Sequence, residues 1–220
     1  RDRLRNNPVT GMRAYGTHGQ PAGTWSDDSS LAFCLAEALI PSFNLQQVAG
    51  NFIKWLYNGF WAPHGEVFDV GNTTREAIAR LAKGREPHLA GGLSEQDNGN
   101  GSLMRILPLL FYTKEMPVSE RFDITRSVSS ITHGHIRSVM ACFYYLEFAR
   151  HLLHSSDKFA AYQNLQNELT VFFTDAGIDP REIVLFKRLL AGDISLEPET
   201  AISSSGYVLH TLEAAVWCLL

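Results

Sequence analysis

Three adjacent oxygen-bearing side chains stand where a glycine-rich loop leads into a periodic apolar segment. Ser26, Asp27 and Asp28 follow the loop of residues 16–25 and open that segment. The free N–H groups at a helix start attract one carboxylate as a cap, which explains one of the two aspartates but hardly both. Adjacent carboxylates repel each other unless a cation or a proton lies between them. These residues therefore predict either ordinary helix capping or half of a site for a hard divalent cation.

A second segment has the composition of an anion-binding turn. Gly99, Asn100, Gly101 and Ser102 precede a helical pattern, and the glycines would let backbone N–H groups approach a phosphate closely. The same residues could form only a tight turn with a capping Asn or Ser, which is the commoner outcome for an isolated run of this kind. Arg105 either contacts a phosphate or lies on the helix surface. The segment by itself leaves these alternatives open.

Two further residues lie where a loop meets a helical pattern. His133 stands beside a glycine between two helices, which should expose its ring, and it either caps the preceding helix as a cation or contacts a ligand. Tyr207 follows a loop of small residues and either packs in the core or stacks on a base. The remaining histidines and the cysteines show no paired zinc spacing, so the sequence disfavours a zinc site.

Composition restricts the class of protein. The 220 residues are 45% apolar and carry a formal net charge of -4. Such a chain can bury a core in one domain and lacks the basic runs that follow a nucleic-acid backbone. No apolar run approaches the roughly 18–20 residues that span a bilayer, and the charged residues 1–8 lack the core of a signal peptide. Three distant cysteines suit a reducing compartment. We therefore expect a cytoplasmic protein that binds neither membrane nor nucleic acid.

The spacing of apolar residues predicts that the candidate residues are positioned almost entirely by helices. Strand patterns are too short to build a sheet. Pro41 should end the first helix, and the long loop over residues 84–101, with five glycines and a proline, is of a kind more often functional than not. Helical patterns cover residues 29–40, 44–58, 72–84, 102–112 with a kink before Pro108, 119–131, 135–153, 158–174, 181–190 and 206–220.

Taken in order, five segments resemble the ADP-ribosylglycohydrolase family, the group of the dinitrogenase-reductase-activating glycohydrolase. The resemblance implies an all-α, orthogonal multi-helix bundle with a binuclear Mg²⁺ or Mn²⁺ site. It also implies cleavage of the glycosidic bond between ADP-ribose and a protein side chain or a small acceptor. The five segments are residues 23–31, 68–74, 99–105, 131–133 and 205–209, which span nearly the whole chain.

The resemblance further implies roles for single residues. Ser26, Asp27 and Asp28 would be metal ligands, with a serine where the family more often has a threonine. The two aspartates and Asp97 would be the catalytic carboxylates, and Asp97 would orient the ribose or accept a proton. Two hard cations would orient the ribose hydroxyls and lower the pKa of the attacking water.

For the substrate, the resemblance assigns the loop of residues 99–102 to the phosphates and the distal ribose of ADP-ribose. It assigns His133 to the diphosphate or a ribose, and Tyr207 to the wall of the base pocket. We expect the substrate to be, first of all, ADP-ribose linked to an arginine side chain of a partner protein. Serine-linked ADP-ribose, ADP-ribosylated nucleic acid and a small ADP-ribose conjugate remain alternatives.

Two motifs of the family are absent from this sequence. The family usually opens with a Gly-Asp-Ala-Leu-Gly helix and closes with an Asp-x-Asp-Thr motif that supplies further metal ligands, and neither occurs here. We therefore expect residues 1–220 to form a single domain that is incomplete at both ends and inactive by itself. A non-catalytic ADP-ribose-binding relative and an immunity protein that blocks an ADP-ribosylating toxin are the rival hypotheses.

Overall fold

A series of helices joined by short 3₁₀ turns makes up the described part of the chain. The computed structural model describes residues 6–40 and 42–220. Residues 1–5, at the predicted charged terminus, and Pro41, the predicted helix stop, lie outside the described residues. The α-helices are α1 (Asp27–Leu39), α2 (Leu45–Asn58), α3 (Asn72–Ala82), α4 (Leu109–Thr113), α5 (Val118–Ser130), α6 (Ile136–His154), α7 (Lys158–Asp175), α8 (Pro180–Ile183), α9 (Lys187–Leu190) and α10 (Val208–Leu219).

The predicted all-α class is confirmed. Within the described ranges, β pairing is limited to isolated bridges, including one between Gly92 and His133 and one between Gly99 and Tyr207. None of the helices in these ranges combines the length and apolar character needed to cross a bilayer.

Local chemistry sets several helix ends where the sequence predicts them. The Asn44 side chain accepts a hydrogen bond from the backbone N–H of Gln46 at 2.9 Å and starts α2. Gly59 ends α2 in the left-handed conformation, at φ 68°. Asp157 caps α7 in the same way as Asn44 caps α2, by accepting from the N–H of Phe159 at 2.8 Å. These ends follow from side-chain capping and from the freedom of glycine at positive φ.

Helix α6 lies at the centre of the core, and α5, α7 and α10 pack against it. A cluster of phenylalanines joins three of these helices, because Phe143 of α6 lies 5.0 Å from Phe122 of α5 and 5.2 Å from Phe172 of α7 between ring centroids. Edge-to-face and tilted contacts of this kind are the favoured geometries of aromatic pairs. The long helices therefore form the rigid part against which α1 and the loops of the site are placed.

An ion-pair network runs along the same helices. Arg121 of α5 donates to both carboxylate oxygens of Glu147, at 2.7 and 2.6 Å. Arg150 donates to Glu147 at 2.9 Å and to Glu168 of α7 at 3.1 Å, and His151 lies 2.8 Å from Glu168. Glu147 is only 1% exposed. Every acid in this network therefore has a cationic partner inside the fold.

Two predicted helices are interrupted. In place of one helix over residues 102–112, the chain forms a 3₁₀ turn at Leu103–Arg105 and then the short α4, with Pro108 at its N-cap. Proline has no N–H to donate and disfavours helical backbone in the residue before it, so the break falls where the kink was predicted but is wider. The helix predicted over residues 181–190 is likewise divided by a 3₁₀ turn at Val184–Phe186.

Candidate functional site

The start of α1 holds the first predicted site residues. Ser26 occupies the N-cap position with extended backbone, but its side chain makes no capping hydrogen bond. Its hydroxyl instead donates to the carboxylate of Asp28 at 2.6 Å. Asp27, by contrast, is almost entirely buried, at 6% exposed. The polar side chains here are therefore turned toward one another, and simple capping by Ser26 does not account for them.

Three carboxylates influence one another at this point. Burial first, and then the negative charges of Asp28 and Asp69, raise the pKa of Asp27 to about 7. Asp69 lies in the loop before α3 with a positive φ of 59° and pairs with His18 at 3.3 Å. In the described ranges no lysine, arginine or histidine pairs with Asp27. Within residues 6–40 and 42–220, the ionised form of Asp27 therefore has no cationic side chain to offset its charge.

A cavity of about 540 Å³ joins these carboxylates to the glycine-rich loop. It brings together six of the predicted site residues and leaves Ser26, Asp97, Ser102 and Tyr207 outside its lining. The lining consists of Asp27, Asp28, Asp69, Gly71, Asn72, Thr73, Thr74, Gln96, Gly99, Asn100, Gly101, Met104, His133 and Gly206.

The loop of residues 99–102 is held by the segment that precedes α10 and by the first turn of α10. The backbone N–H of Asn100 donates to the Gly206 carbonyl at 3.0 Å, and the Asn100 side chain donates to the Thr211 hydroxyl at 3.2 Å. Ser102 is fully buried, and its hydroxyl accepts a weak bond from the Cys142 thiol at 3.4 Å. Gly99, Asn100 and Gly101 thus face the cavity, whereas Ser102 anchors the loop in the core.

His133 is buried against this loop, and its predicted exposure is wrong. The side chain is 2% exposed, and Nδ1 lies 2.8 Å from the Thr132 hydroxyl. Burial, followed by the positive charge of Arg105, lowers the pKa of His133 to about 3. The imidazole is therefore neutral at physiological pH, which excludes the predicted alternative of a cationic helix cap. A Cβ added to Gly101 would lie 2.7 Å from Cε1 of this ring.

Arg105 takes neither of its predicted positions. It is fully buried, so it does not lie on a helix surface, and its guanidinium is committed to backbone carbonyls rather than facing the cavity. It donates to the Gly101 carbonyl and, at 3.2 Å, to the Val128 carbonyl, and it lies 4.9 Å from the Phe52 ring centroid. Burial lowers its pKa to about 10, so it remains charged. Arg105 therefore supports the loop from inside the protein.

Asp97 and Tyr207 flank the cavity. Asp97 accepts from the backbone N–H of Ser94 at 3.0 Å and from its hydroxyl at 2.7 Å, and the hydroxyl bond is the main reason that the pKa of Asp97 is lowered. Tyr207 begins α10, with its ring edge-on to His210 at 4.9 Å between centroids and the Arg137 guanidinium 6.0 Å from its ring. Both side chains are thus held by neighbours at the margin of the lining.

The sequence prediction of site residues omitted Asp69, Thr73 and Thr74, although all three belong to the segment of residues 68–74 that carries the family resemblance. A useful signal is the loop from Asp69 into α3, because an acid and hydroxyls at a helix start are the same combination as at α1. Nothing local in this segment, however, indicates that it meets α1.

The donor set for a metal at this site is partial. In the ranges that the structure describes, no group of three or more His, Cys, Asp or Glu side chains is arranged to hold a metal ion. Two neighbouring carboxylates and a serine hydroxyl are nevertheless oxygen donors of the kind that Mg²⁺ and Mn²⁺ prefer. Burial is the first cause of the raised pKa of Asp27, and a cation there would relieve the second, which is repulsion from Asp28 and Asp69.

Comparison with known proteins gives one family match and similarity to several longer proteins. The sequence model described as ADP-ribosylglycohydrolase matches residues 1–220. The chain is 30% identical over 228 residues to the ADP-ribosylarginine hydrolase Tri1 of Pseudomonas putida (strain GB-1), covering 100% of this chain and 55% of that protein. It is 28% identical over 221 residues to the Tri1 of Serratia proteamaculans (strain 568), covering 100% and 56%.

A third relative is the ADP-ribosyl-[dinitrogen reductase] glycohydrolase of Rhodospirillum rubrum. It is 28% identical over 151 residues, which cover 63% of this chain and 48% of that protein. The chain therefore spans about half the length of the curated relatives that it matches.

Proposed function

Because the chain belongs to the ADP-ribosylglycohydrolase family, we propose that the whole protein is a hydrolase that releases ADP-ribose from a modified arginine side chain of a partner protein. The observation that carries this proposal is a single cavity. Its lining includes Asp27 and Asp28, the loop of residues 99–101 and the buried, neutral His133. It joins an acidic wall, suited to cations, to a wall of backbone donors, suited to phosphates.

Ser26, Asp27 and Asp28 are the residues that we propose as ligands of Mg²⁺ or Mn²⁺, with two ions in the complete site. When bound, such ions act as Lewis acids and lower the pKa of a coordinated water. The negative charges of Asp28 and Asp69 beside Asp27 support this assignment, since a divalent cation would offset the repulsion among the three carboxylates. The hydrogen bond from Ser26 to Asp28 orients that carboxylate toward the same region.

The other residues are proposed to bind and orient the substrate. Backbone N–H groups of Gly99 and Gly101 would receive the phosphates, whereas Asn100, whose N–H donates to the Gly206 carbonyl, and Ser102 would act by anchoring the loop. His133 would offer a neutral imidazole to the diphosphate or a ribose, and Tyr207 would border the base. For Asp97, orienting the ribose is favoured over accepting a proton, because its lowered pKa makes it a weak base.

The setting of this activity is also a proposal. Cys34 and Cys142 are buried free thiols, and Cys218 is free and exposed, which supports a reducing compartment such as the cytoplasm. We further propose that residues 1–220 belong to one domain, in agreement with a family match over that whole range.

The test is release of ADP-ribose from an arginine-ADP-ribosylated protein by the whole protein, with Mn²⁺ or with EDTA. Asp27→Ala/Asp28→Ala is compared with the wild type, and Asp123→Ala, an acid on α5 away from the cavity, is the matched control. We expect metal-dependent release that the double variant loses by at least about 100-fold, as for removal of a catalytic group. Binding of ADP-ribose without release from any acceptor would instead show a non-catalytic binder.

A further inference from the structure

Three partly exposed aromatic rings lie together beside the start of α1. Trp25, Phe33 and Trp61 are 40%, 41% and 44% exposed. Ring centroids of Trp25 and Phe33 are 6.0 Å apart, and those of Phe33 and Trp61 are 5.3 Å apart. These three rings are called the aromatic platform below. Single exposed aromatic residues are ordinary, whereas a contiguous group next to a cavity is typical of a binding surface.

Hydrogen bonds fix the rings of the aromatic platform in place. The Trp25 indole N–H donates to the Trp61 carbonyl at 3.2 Å, and the Trp61 indole N–H donates to the carboxylate of Glu37 at 2.6 Å. Trp61 also has a positive φ of 56°, which is uncommon for a bulky residue and is held only when its surroundings favour it. Because both indole N–H groups are already used, a ligand would meet the ring faces and the carboxylate.

Phe33 links the aromatic platform to the candidate site, whereas Trp25, Trp61 and Glu37 lie outside the lining of both cavities. Phe33 and Asp28 line the same apolar cleft of about 680 Å³, which runs beside α1. Asp28 also lines the acidic cavity. A group attached to a substrate in the acidic cavity can therefore extend past Asp28 toward Phe33 without crossing the core.

The charge around the aromatic platform favours a cation. Glu37 contributes a carboxylate in contact with Trp61. A cation–π contact already occurs beside the aromatic platform, because Lys54 Nζ lies 5.7 Å from the ring centroid of Phe60. The Phe60 ring is in turn 6.0 Å from that of Trp61. Planar, weakly hydrated guanidinium groups bind aromatic faces and carboxylates at the same time.

We propose that the aromatic platform and Glu37 bind the acceptor polypeptide through an arginine side chain, whose guanidinium stacks on Phe33 and Trp61 and is neutralised by Glu37. The inference rests on the proposed function, since it assigns the acceptor side of that same site. It makes these residues determinants of specificity for a cationic acceptor, and leaves recognition of ADP-ribose to the acidic cavity.

The kinetic test uses Phe33→Leu and Glu37→Gln in the whole protein, with an ADP-ribosylated arginine peptide as substrate. Leucine keeps the apolar volume without a π face, and glutamine keeps an acceptor for the Trp61 N–H without the charge. We expect KM to rise by roughly 5- to 20-fold in either variant while kcat stays within about twofold. Tyr57→Leu, which removes an exposed aromatic ring outside the platform, is the matched control and should leave KM unchanged.

The dissociation constant of free ADP-ribose should be the same in all of these proteins. An unchanged KM in both platform variants would overturn the proposal. An equal loss of affinity for free ADP-ribose would also overturn it, because the platform would then act on the ADP-ribose side or on folding.

A second measurement separates this proposal from the proposed function. The tryptophan fluorescence of the protein, to which Trp25 and Trp61 contribute, is measured as an unmodified arginine peptide is added. The same peptide with citrulline, which has a similar shape and no charge, is titrated for comparison. Quenching by the arginine peptide alone, reduced in Glu37→Gln, is expected even if the protein releases ADP-ribose from no substrate. Equal responses to the two peptides would contradict the platform while leaving the hydrolase proposal intact.

Discussion

Glu147 of the ion-pair network and Asp27 of the candidate site are both buried acids, but their charged neighbours differ. Glu147, 1% exposed, receives two hydrogen bonds from Arg121 and one from Arg150. Asp27, 6% exposed, instead faces Asp28 and Asp69, and its pKa is raised to about 7. A buried acid is stable in its ionised form only when a cation or several hydrogen-bond donors accompany it. Glu147 pairs with Arg121 and Arg150, whereas no cationic side chain of the described residues pairs with Asp27.

The comparison distinguishes the acids of the ion-pair network from those of the candidate site by their partners and not by their burial. Paired acids join α5, α6 and α7, and their charge is used up inside the core. The acids at α1 repel one another, and a bound cation would reduce this repulsion. Perturbed charged groups of this kind are typical of binding and catalytic sites. Each of the following changes tests one side of this contrast.

The largest effect is expected from removing the acid of the paired region. Glu147→Ala leaves Arg121 and Arg150 with Glu168 as their remaining carboxylate partner, at 3.4 and 3.1 Å, and removing one partner of a buried ion pair costs about 3–5 kcal/mol. The free energy of unfolding from urea titration measures this loss. Glu120→Ala, an acid on the exposed first turn of α5, serves as the control. A loss below about 1 kcal/mol would show that water, and not the fold, balances these charges.

The fit of the glycine-rich loop to His133 gives the next effect. Gly101→Ala would place a Cβ 2.7 Å from the His133 ring and 2.9 Å from the Thr74 hydroxyl, so the site must shift, at a cost of about 1–3 kcal/mol. Gly99→Ala is the matched control, because its Cβ would lie 3.6 Å from the same ring, an ordinary contact. Unfolding free energies should separate the two variants, and equal values would mean that the loop is not fitted to His133.

The pH dependence of stability tests the unbalanced region. The folded metal-free protein keeps the Asp27 proton up to a pKa of about 7, whereas the unfolded chain releases it near its ordinary value of 3.8. The folded state therefore binds more protons between these values, so stability falls as pH rises from about 4 to about 7.

We expect this fall to contribute about 1–2 kcal/mol, because the open cavity lets solvent screen the charge. Urea titrations in EDTA measure it as the difference between wild type and Asp27→Asn, which should lose this component of the slope. Asp28→Asn should lose only part of it, since Asp28 is one of several causes. Parallel curves for wild type and Asp27→Asn would show that Asp27 is ionised normally.

The smallest effect is expected from an exposed ion pair that belongs to neither region. Arg181 donates to Asp179 at 2.6 Å, but its side chain is 89% exposed. Solvent weakens such pairs, so Arg181→Ala should leave the urea midpoint unchanged within error. A clear shift of the midpoint would mean that pairing alone, without burial, stabilises this protein.

Local sequence predicts much of the helical framework. The ends of α2 at Asn44 and Gly59 follow from a capping side chain and a glycine, both of which act within a few residues. The stretch over residues 102–112 is predicted less well. Apolar spacing predicts one kinked helix there, whereas the chain forms a 3₁₀ turn and a separate short helix that both bury apolar side chains. For the candidate site, residue type and order predict the acid pair at α1 and the loop of residues 99–101, and the structure places both in the lining of one cavity.

By itself, then, the sequence determines the helices, the position of Asp27 and Asp28 at a helix start, and the family resemblance of five ordered segments. Only the tertiary structure brings Asp69 to the same cavity, buries His133 in a neutral form, and directs Arg105 to the Gly101 and Val128 carbonyls instead of a phosphate. The physical reason is range. Capping and periodicity act over a few neighbouring residues, whereas burial and charge–charge interaction depend on which distant segments the packed core brings together.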